Sequence, residues 1–138
     1  MRDLGIIRAL QRVLGFGDLY SVRGTITVGV NDLDRAVTWY CDRLGLSVMP
    51  EKSYSAEVHL GYLQRETPMI VLFPAGERNS VPFAERHPIL FTHKLDSVHA
   101  ELASAGIDVG LIQSDSAGNR LFRFRDLEGN EIEVCVEP

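Results

Sequence analysis

Apolar and polar positions follow two different periods in the first half of the chain. Residues 25–30 alternate apolar with small side chains, which is the pattern of a half-buried strand. Between Leu33 and Leu44 the apolar positions recur every three or four residues, which predicts a helix. Asp32 can cap the start of this helix, and Gly45 is typical of a helix end.

Shorter apolar segments predict the remaining elements. In the first half we expect three further strands, at Ser47–Met49, Glu57–Leu63 and Met69–Phe73. A loop rich in Pro, Gly and Asn follows. The second half then predicts a strand, a helix and three strands, at Ile89–Thr92, Asp96–Ala105, Ile107–Ile112, Arg120–Arg125 and Glu131–Val136. The turn Asp126–Asn130 joins the last two strands as a hairpin.

The order of elements in the two halves is the same, which indicates an internal repeat. A shift of 62 residues places Thr25 on His87 and Leu33 on Leu95, so the first strand and the helix share one offset. Short apolar strands resemble one another, so part of this agreement can arise by chance. Two tandem β-α-β-β-β units nevertheless explain it better than one irregular α+β domain.

The repeat defines the expected domain organisation. We expect one domain at residues 24–138, made of a first module at 24–76 and a second module at 87–138. Residues 1–23 precede the repeat. Apolar residues near helical spacing between positions 4 and 14 predict an N-terminal helical extension that packs on the body or on a partner subunit.

Composition narrows the class of protein. The 138 residues carry a formal net charge of −5 and contain no basic run, so we expect no nucleic-acid partner. No apolar stretch is long enough to span a bilayer, and we expect no membrane partner. Two cysteines, Cys41 and Cys135, form no disulfide framework, as is usual in a reducing compartment. The sequence therefore predicts a cytoplasmic protein.

Two motifs carry a resemblance to a known family. Val30–Tyr40 and the closing segment Phe122–Glu133 resemble those of the glyoxalase/bleomycin-resistance/extradiol-dioxygenase superfamily, also called vicinal oxygen chelate proteins. The closing segment is similar to the hairpin F-x-F-x-D-P-x-G-N-x-I-E, with Leu127 where proline is usual. The resemblance implies an α+β fold in which two tandem βαβββ modules form a curved mixed sheet, an open barrel around a cavity with the helices outside. It also implies a homodimer.

Strand alternation predicts which side chains face that cavity. Ile132, Val134 and Val136 share one side of the last strand, which leaves Glu133 and Cys135 on the inner face. The same argument, applied to the other strands, predicts a ligand-binding cavity lined by Thr25, Thr27, Val71, Phe73, His87, Phe91 and Glu133. Aromatic residues that could form its wall, or equally belong to the core, are Phe73, Phe91, Phe122 and Tyr62.

The resemblance also implies where a metal ion would bind. Enzymes of the superfamily hold a divalent metal with residues at positions that correspond here to Thr25, Val71, His87 and Glu133. Threonine is a poor ligand and valine cannot be one, so a site would rest on His87 and Glu133 alone. His59 or His93 could complete it, although neither matches a family ligand position. We therefore expect no metal cofactor and keep a divalent metal as the alternative.

His87 and Glu133 also have simpler interpretations. His87 could be a solvated loop histidine, and Glu133 a solvated strand residue. If Glu133 is buried, its carboxylate needs a partner, which His87 or Arg123 could provide. Cys135 has no identifiable base beside it, so we do not interpret it as a nucleophile.

Three functional hypotheses follow. The preferred one is a small-molecule-binding protein of the bleomycin-resistance type, which binds an organic ligand without a metal. The second is a metal-dependent lyase, isomerase or dioxygenase that uses His87 and Glu133. The third is a metal-free enzyme in which the same two residues act as a general acid and base. The sequence leaves open whether the chain is an enzyme.

Overall fold

The computed structural model describes residues 19, 25–49, 57–62, 68–76 and 88–137. Of the predicted N-terminal extension, only Leu19 is among them, and its side chain is fully buried. The predicted helix itself and His87 lie outside the described residues.

Two helices are described, and the first begins and ends where the sequence predicts. Helix α1 spans Leu33–Leu44. The Asp32 side chain accepts a hydrogen bond from the Arg35 backbone N–H at 3.2 Å, which satisfies one of the donors that every helix start leaves unpaired. Gly45 ends the helix with a φ of 70°, a left-handed conformation that favours glycine. Helix α2 spans Leu95–Ser104. Neither helix is long and apolar enough to cross a membrane.

The strands of the described chain fall into two mixed sheets, one for each module. Their bounds are β1 Ile26–Val30, β2 Ser47–Val48, β3 Val58–Gly61, β4 Ile70–Pro74, β5 Ile89–Thr92, β6 Asp108–Val109, β7 Gln113–Ser114, β8 Arg120–Arg125 and β9 Glu131–Val136. The first sheet has the order β1-β4-β3-β2 and the second β5-β9-β8-β6, with β7 also paired to β8. In each sheet the first strand of the module runs parallel to its last strand. The shared topology confirms the predicted duplication.

One predicted strand is broken in the structure, whereas the others differ only at their ends. The segment Ile107–Ile112 forms a strand only at Asp108–Val109, and a strand that the sequence analysis missed follows at Gln113–Ser114. Between these two strands, the Gly110 backbone N–H still donates a hydrogen bond to the Arg123 carbonyl of β8, at 2.7 Å. Beyond Gly110 the chain is no longer paired with β8 until Gln113. Leu111 is consequently 86% exposed. The apolar pattern was misleading here because a loop leucine resembles a strand residue.

The hydrophobic core lies between each sheet and its helix. On β1 the buried residues are Ile26, Val28 and Val30, and they alternate with half-buried positions. Other core residues come from the helices and the remaining strands: Ala36, Tyr40, Leu44, Leu60, Ile70, Leu72, Leu90, Val98, Leu102, Phe122, Phe124, Ile132 and Val134. Burying each large apolar side chain contributes roughly 1.5–3 kcal/mol, so this alternation decides which face of each sheet turns to the helix.

The β8–β9 hairpin connects the second module to the first. The Glu128 carboxylate accepts hydrogen bonds from the backbone N–H groups of Asn31 at 2.6 Å and Asp32 at 2.9 Å. These groups lie between β1 and α1, so a carboxylate of the second module faces the positive end of the first module's helix.

A buried network continues this connection. The Tyr40 hydroxyl of α1 donates to Asp126 Oδ2 at 2.6 Å. Asn130 Nδ2 donates both to Asp126 Oδ2 at 3.0 Å and to the Gly29 carbonyl at 3.2 Å. Burial and the neighbouring Asp126 carboxylate raise the pKa of Tyr40 well above its usual value, so this phenol stays protonated and remains the donor.

Candidate functional site

Each sheet has a face opposite its helix, which we call the inner face. In the first module three side chains form a row across this face, because the strand register places Thr27 of β1 beside Val71 of β4 and Val71 beside His59 of β3. The residues one position away, such as Ile70, belong to the core. The alternation used in the sequence analysis is therefore correct for β1 and β4.

Apolar side chains on this face are well covered. Val71 is 7% exposed and Phe73 is 3% exposed, although neither belongs to the core cluster beneath the helices. Gly29 lies beside Phe73 in the strand register. A Cβ atom at Gly29 would lie 3.2 Å from the Phe73 ring, so glycine allows the ring to pack directly on the strand.

The polar groups of the first module differ in how they are bonded. Thr25 Oγ1 donates to the Pro68 carbonyl at 3.1 Å. Thr27 Oγ1 is buried and has no hydrogen-bond partner within the described part of the chain. His59 Nε2 lies 3.3 Å from Glu57 Oε2. A buried hydroxyl without a partner costs stability, and a bound ligand with a polar group would satisfy it.

In the second module Glu133 is the central polar residue of the inner face. It lies between Ile89 of β5 and Arg123 of β8 in the register. Arg123 Nε and Nη2 both donate to Glu133 Oε1, at 3.2 and 3.1 Å. The Cys135 thiol donates to the other oxygen, Oε2, at 3.0 Å. Of the two partners considered for Glu133, the structure provides Arg123.

Cys135 is a protonated thiol in this arrangement. Burial, together with the adjacent Glu133 carboxylate, raises the pKa of Cys135 to about 12. The thiol therefore acts as a hydrogen-bond donor to Glu133 rather than as a thiolate. This agrees with the interpretation that Cys135 is no nucleophile.

The aromatic candidates for a cavity wall divide into two groups. Phe91 is half-buried and lies beside Cys135 in the register, and Phe73 lies on the inner face of the first module. Phe122 and Tyr62 instead belong to the core. Phe122 contacts His99 of α2 edge to face, with ring centroids 4.8 Å apart. Because Phe122 precedes the inward-facing Arg123 by one position, its side chain must point to the helix.

A groove that the sequence analysis missed lies beside Glu133. It has a volume of about 240 Å³ and is lined by Asp108, Gly110, Leu111, Gln113, Arg123, Arg125 and Glu131. Arg125 lies 3.8 Å from Asp108 and 3.4 Å from Glu131, measured between charged atoms. The available signal was the alternation along β8, which puts Arg123 and Arg125 on the same face as Glu133.

A second cleft, of about 380 Å³, lies at the start of α2. Two pairs of polar side chains border it. His93 Nε2 lies 2.7 Å from Glu137 Oε2, and Arg120 forms two hydrogen bonds with Asp96, at 2.8 and 3.1 Å. The Arg120 hydrogen bonds hold the pKa of Asp96 below its usual value. His93 is thus paired with Glu137, and its role in completing a metal site stays a prediction.

The closing hairpin, the paired βαβββ modules and the inner faces agree with one family model. The model of the glyoxalase/bleomycin resistance protein/dioxygenase superfamily matches residues 23–134. The chain belongs to this superfamily. No curated protein sequence matches it.

Solved structures of this superfamily share the fold at low identity. A bleomycin-binding protein complexed with bleomycin is 16% identical, with a TM-score of 0.64 over 86% of this chain and 100% of that chain. The antibiotic binding protein TnmS3 from a Streptomyces species is 21% identical, with a TM-score of 0.62 over 86% and 97%. A lactoylglutathione lyase from Agrobacterium tumefaciens is 22% identical, with a TM-score of 0.63 over 84% and 93%.

The described residues do not fit the metal that this superfamily implies. No group of three or more His, Cys, Asp or Glu side chains comes together in the described part of the chain. At the positions that match family ligands, Val71 has no donor atom and the Thr25 hydroxyl is bonded to Pro68. Both oxygens of Glu133 already accept hydrogen bonds, and a nearby guanidinium opposes a second cation.

The predicted site residues thus form two groups. Thr25 and Phe73 flank the Thr27–Val71 pair on the first module, and Phe91 and Glu133 lie on the second. That both groups and His87 line a single cavity stays a prediction.

Proposed function

We propose that this chain is a small-molecule-binding protein of the bleomycin-resistance type, which binds a partly apolar organic molecule without a resident metal ion. The observation that carries the proposal is the state of Glu133. Its carboxylate, at a position where family enzymes hold the metal, is bonded to Arg123 and Cys135. The matching positions of the first module are Val71 and Thr25, which cannot supply a competent ligand set.

The composition of the inner faces supports the same proposal. They combine buried apolar side chains, Val71 and Phe73, with few polar groups, among them the unsatisfied Thr27 hydroxyl. Ligand sites of proteins are usually of this mixed kind. We propose that the cavity is lined by these residues together with Thr25, His87, Phe91 and Glu133. Two structural neighbours, the bleomycin-binding protein and the antibiotic binding protein, support the binding of a small molecule in general. The particular ligands of those two proteins are not proposed for this chain.

The proposal extends to assembly and location. We propose a homodimer in the cytoplasm, supported by the family resemblance and by the absence of a disulfide framework in the sequence. Light scattering on the purified protein measures the assembly, and a monomeric mass at micromolar concentration contradicts this part of the proposal.

The test of ligand binding uses N-phenylnaphthylamine, a neutral aromatic probe that fluoresces when it is bound in an apolar site. We expect the wild-type protein to bind it. We expect Val71→Thr, which has the same shape but adds a hydroxyl to the inner face, to weaken binding about fivefold or more. Val48→Thr is the matched control, because Val48 is exposed on the short strand β2. Absence of binding, or equal effects of both variants, contradicts the proposal.

Metal analysis distinguishes the enzymatic alternative. We expect protein purified without chelators to contain no stoichiometric transition metal. One equivalent of bound metal, retained in the wild type and lost in Glu133→Gln, would favour a metal-dependent lyase, isomerase or dioxygenase instead.

A further inference from the structure

We infer that Arg123 recognises an oxyanion on the ligand, such as a carboxylate or a sulfonate, in the groove beside Glu133. This inference rests on the proposed function, because it names the chemical class of the same ligand. Its structural basis is the asymmetry of the Arg123–Glu133 pair, in which the cation is accessible and the anion is covered.

The exposure of the two side chains gives the first part of the argument. The Glu133 side chain is only 14% exposed, and both of its oxygens already accept hydrogen bonds. The Arg123 side chain is 42% exposed. Any molecule that approaches the pair therefore meets the guanidinium rather than the carboxylate.

The donors of Arg123 give the second part. Its Nε and Nη2 atoms bind Glu133 Oε1, and Nη1 makes no hydrogen bond within the described part of the chain. A guanidinium carries five N–H donors in a planar arrangement, so donors remain while the pair with Glu133 is intact. Such donors form their strongest hydrogen bonds with anionic oxygens.

The charged side chains that line the groove carry no net formal charge, because two arginines and two carboxylates are among them. Asp108 and Glu131 both lie near Arg125, at 3.8 and 3.4 Å. Arg123, in contrast, takes its carboxylate partner from Glu133, which is not among the residues that line the groove. Two arginines line the groove, and Arg125 is the one that pairs with carboxylates of the lining. Arg123 can therefore bind a ligand anion without giving up a carboxylate of the groove.

The size of the groove agrees with this role. A volume of about 240 Å³ is less than whole drug-sized ligands occupy, so the groove fits one end of a molecule. Leu111, exposed at its edge, offers an apolar contact next to the arginine. The groove therefore suits an oxyanion attached to an apolar body that extends out of it.

The test compares two fluorescent probes with the same aromatic body. Anilinonaphthalene sulfonate carries an oxyanion, and N-phenylnaphthylamine is its neutral counterpart. We expect Arg123→Gln to weaken sulfonate binding about tenfold or more, since hydrogen bonds to charged groups contribute that much affinity. We expect a change of less than about twofold for the neutral probe.

Two further variants separate the loss of the Arg123 donors from general charge effects. Arg120→Gln removes the same charge from the same strand, but Arg120 pairs with Asp96 outside the groove, and we expect no change. In Arg123→Gln the unpaired Glu133 could itself repel the sulfonate or disturb folding. The double variant Arg123→Gln with Glu133→Gln removes both charges, and we expect the loss of sulfonate binding to persist.

Each outcome separates the inference from the proposed function. If the wild type binds the neutral probe but Arg123→Gln leaves sulfonate affinity unchanged, the inference is wrong and the proposed function stands. Recovery of sulfonate binding in the double variant also overturns the inference, because repulsion by Glu133 then explains the loss. If the wild type binds neither probe, the proposed function fails first.

Discussion

At the scale of single residues, the strand alternation was the most informative signal. It placed Glu133 and Cys135 on the inner face, and the structure confirms this by their register with Arg123 and Phe91. It also implies that Phe122 points away from that face, and of the two places that the sequence left open for this ring the structure has the core. The hydrogen bonds of these side chains could not be predicted from the sequence, because alternation indicates on which face a side chain lies but not which neighbour it contacts.

Cys135 provides a test at this scale. With Cys41→Ser, Cys135 is the remaining thiol, and its pKa is raised to about 12 in the folded protein. At about pH 9 the unfolded thiol is largely ionised and the folded one is not, so we expect iodoacetamide to react with the folded protein about a hundredfold more slowly. Mass spectrometry of the alkylated protein measures both rates, with the urea-unfolded protein as the control.

The raised pKa of Cys135 also determines how the stability of the protein depends on pH. Because the folded pKa of Cys135 lies above the unfolded value, its contribution to stability is complete below about pH 8.5 and declines as the pH rises toward 12. Equal alkylation rates of folded and unfolded protein at about pH 9 would show that Cys135 is neither covered nor bonded to Glu133.

At the scale of elements, local signals were sufficient where a cap defines a boundary. Asp32 and Gly45 mark the two ends of α1, and the structure has the helix between them. The short strands β6 and β7 have no such marker. Their pairing with β8 depends on hydrogen bonds to a strand further along the chain, and the sequence pattern of residues 107–112 contains no information about that partner.

The β8–β9 hairpin allows a test of a contact between elements. We expect Glu128→Gln to lower the free energy of unfolding by about 1 kcal/mol, because it removes a carboxylate that accepts two backbone hydrogen bonds at the start of α1. Glu131→Gln is the control, since Glu131 is exposed and lies 3.4 Å from Arg125. Urea unfolding measures both variants. Equal effects would mean that the hairpin contributes no cap to α1.

At the scale of the whole molecule, the sequence predicted two modules of the same topology but not how they contact each other. The decisive hydrogen bond joins Tyr40 to Asp126, which are 86 positions apart. Both residues lie within recognisable motifs, yet neither motif indicates that its polar atoms meet the other. The same lack of information applies to the site: alternation predicts each inner face, whereas a shared cavity depends on the placement of one module against the other.

The Tyr40–Asp126 contact predicts how the modules depend on one another. Tyr40→Phe keeps the buried ring but removes a hydroxyl that donates to a buried carboxylate, so we expect a loss of about 1–3 kcal/mol in the free energy of unfolding. Because the folded pKa of Tyr40 is raised above its usual value, this contribution is complete below about pH 10 and is lost as the pH rises further. The difference between wild type and variant should therefore narrow above about pH 10.

Denaturant unfolding from neutral to alkaline pH measures this difference. Thr27→Val is a suitable control, because it removes a buried hydroxyl of the first module that has no hydrogen-bond partner within the described part of the chain. If the hydroxyl of Tyr40 joins the modules, its removal lowers the unfolding midpoint of the whole chain in one cooperative transition. If the modules are independent, Tyr40→Phe instead shifts only part of the transition, or changes stability no more than Thr27→Val does. In that case the two inner faces are not held in a fixed relation by this network, and a shared ligand cavity would need another contact to position its halves.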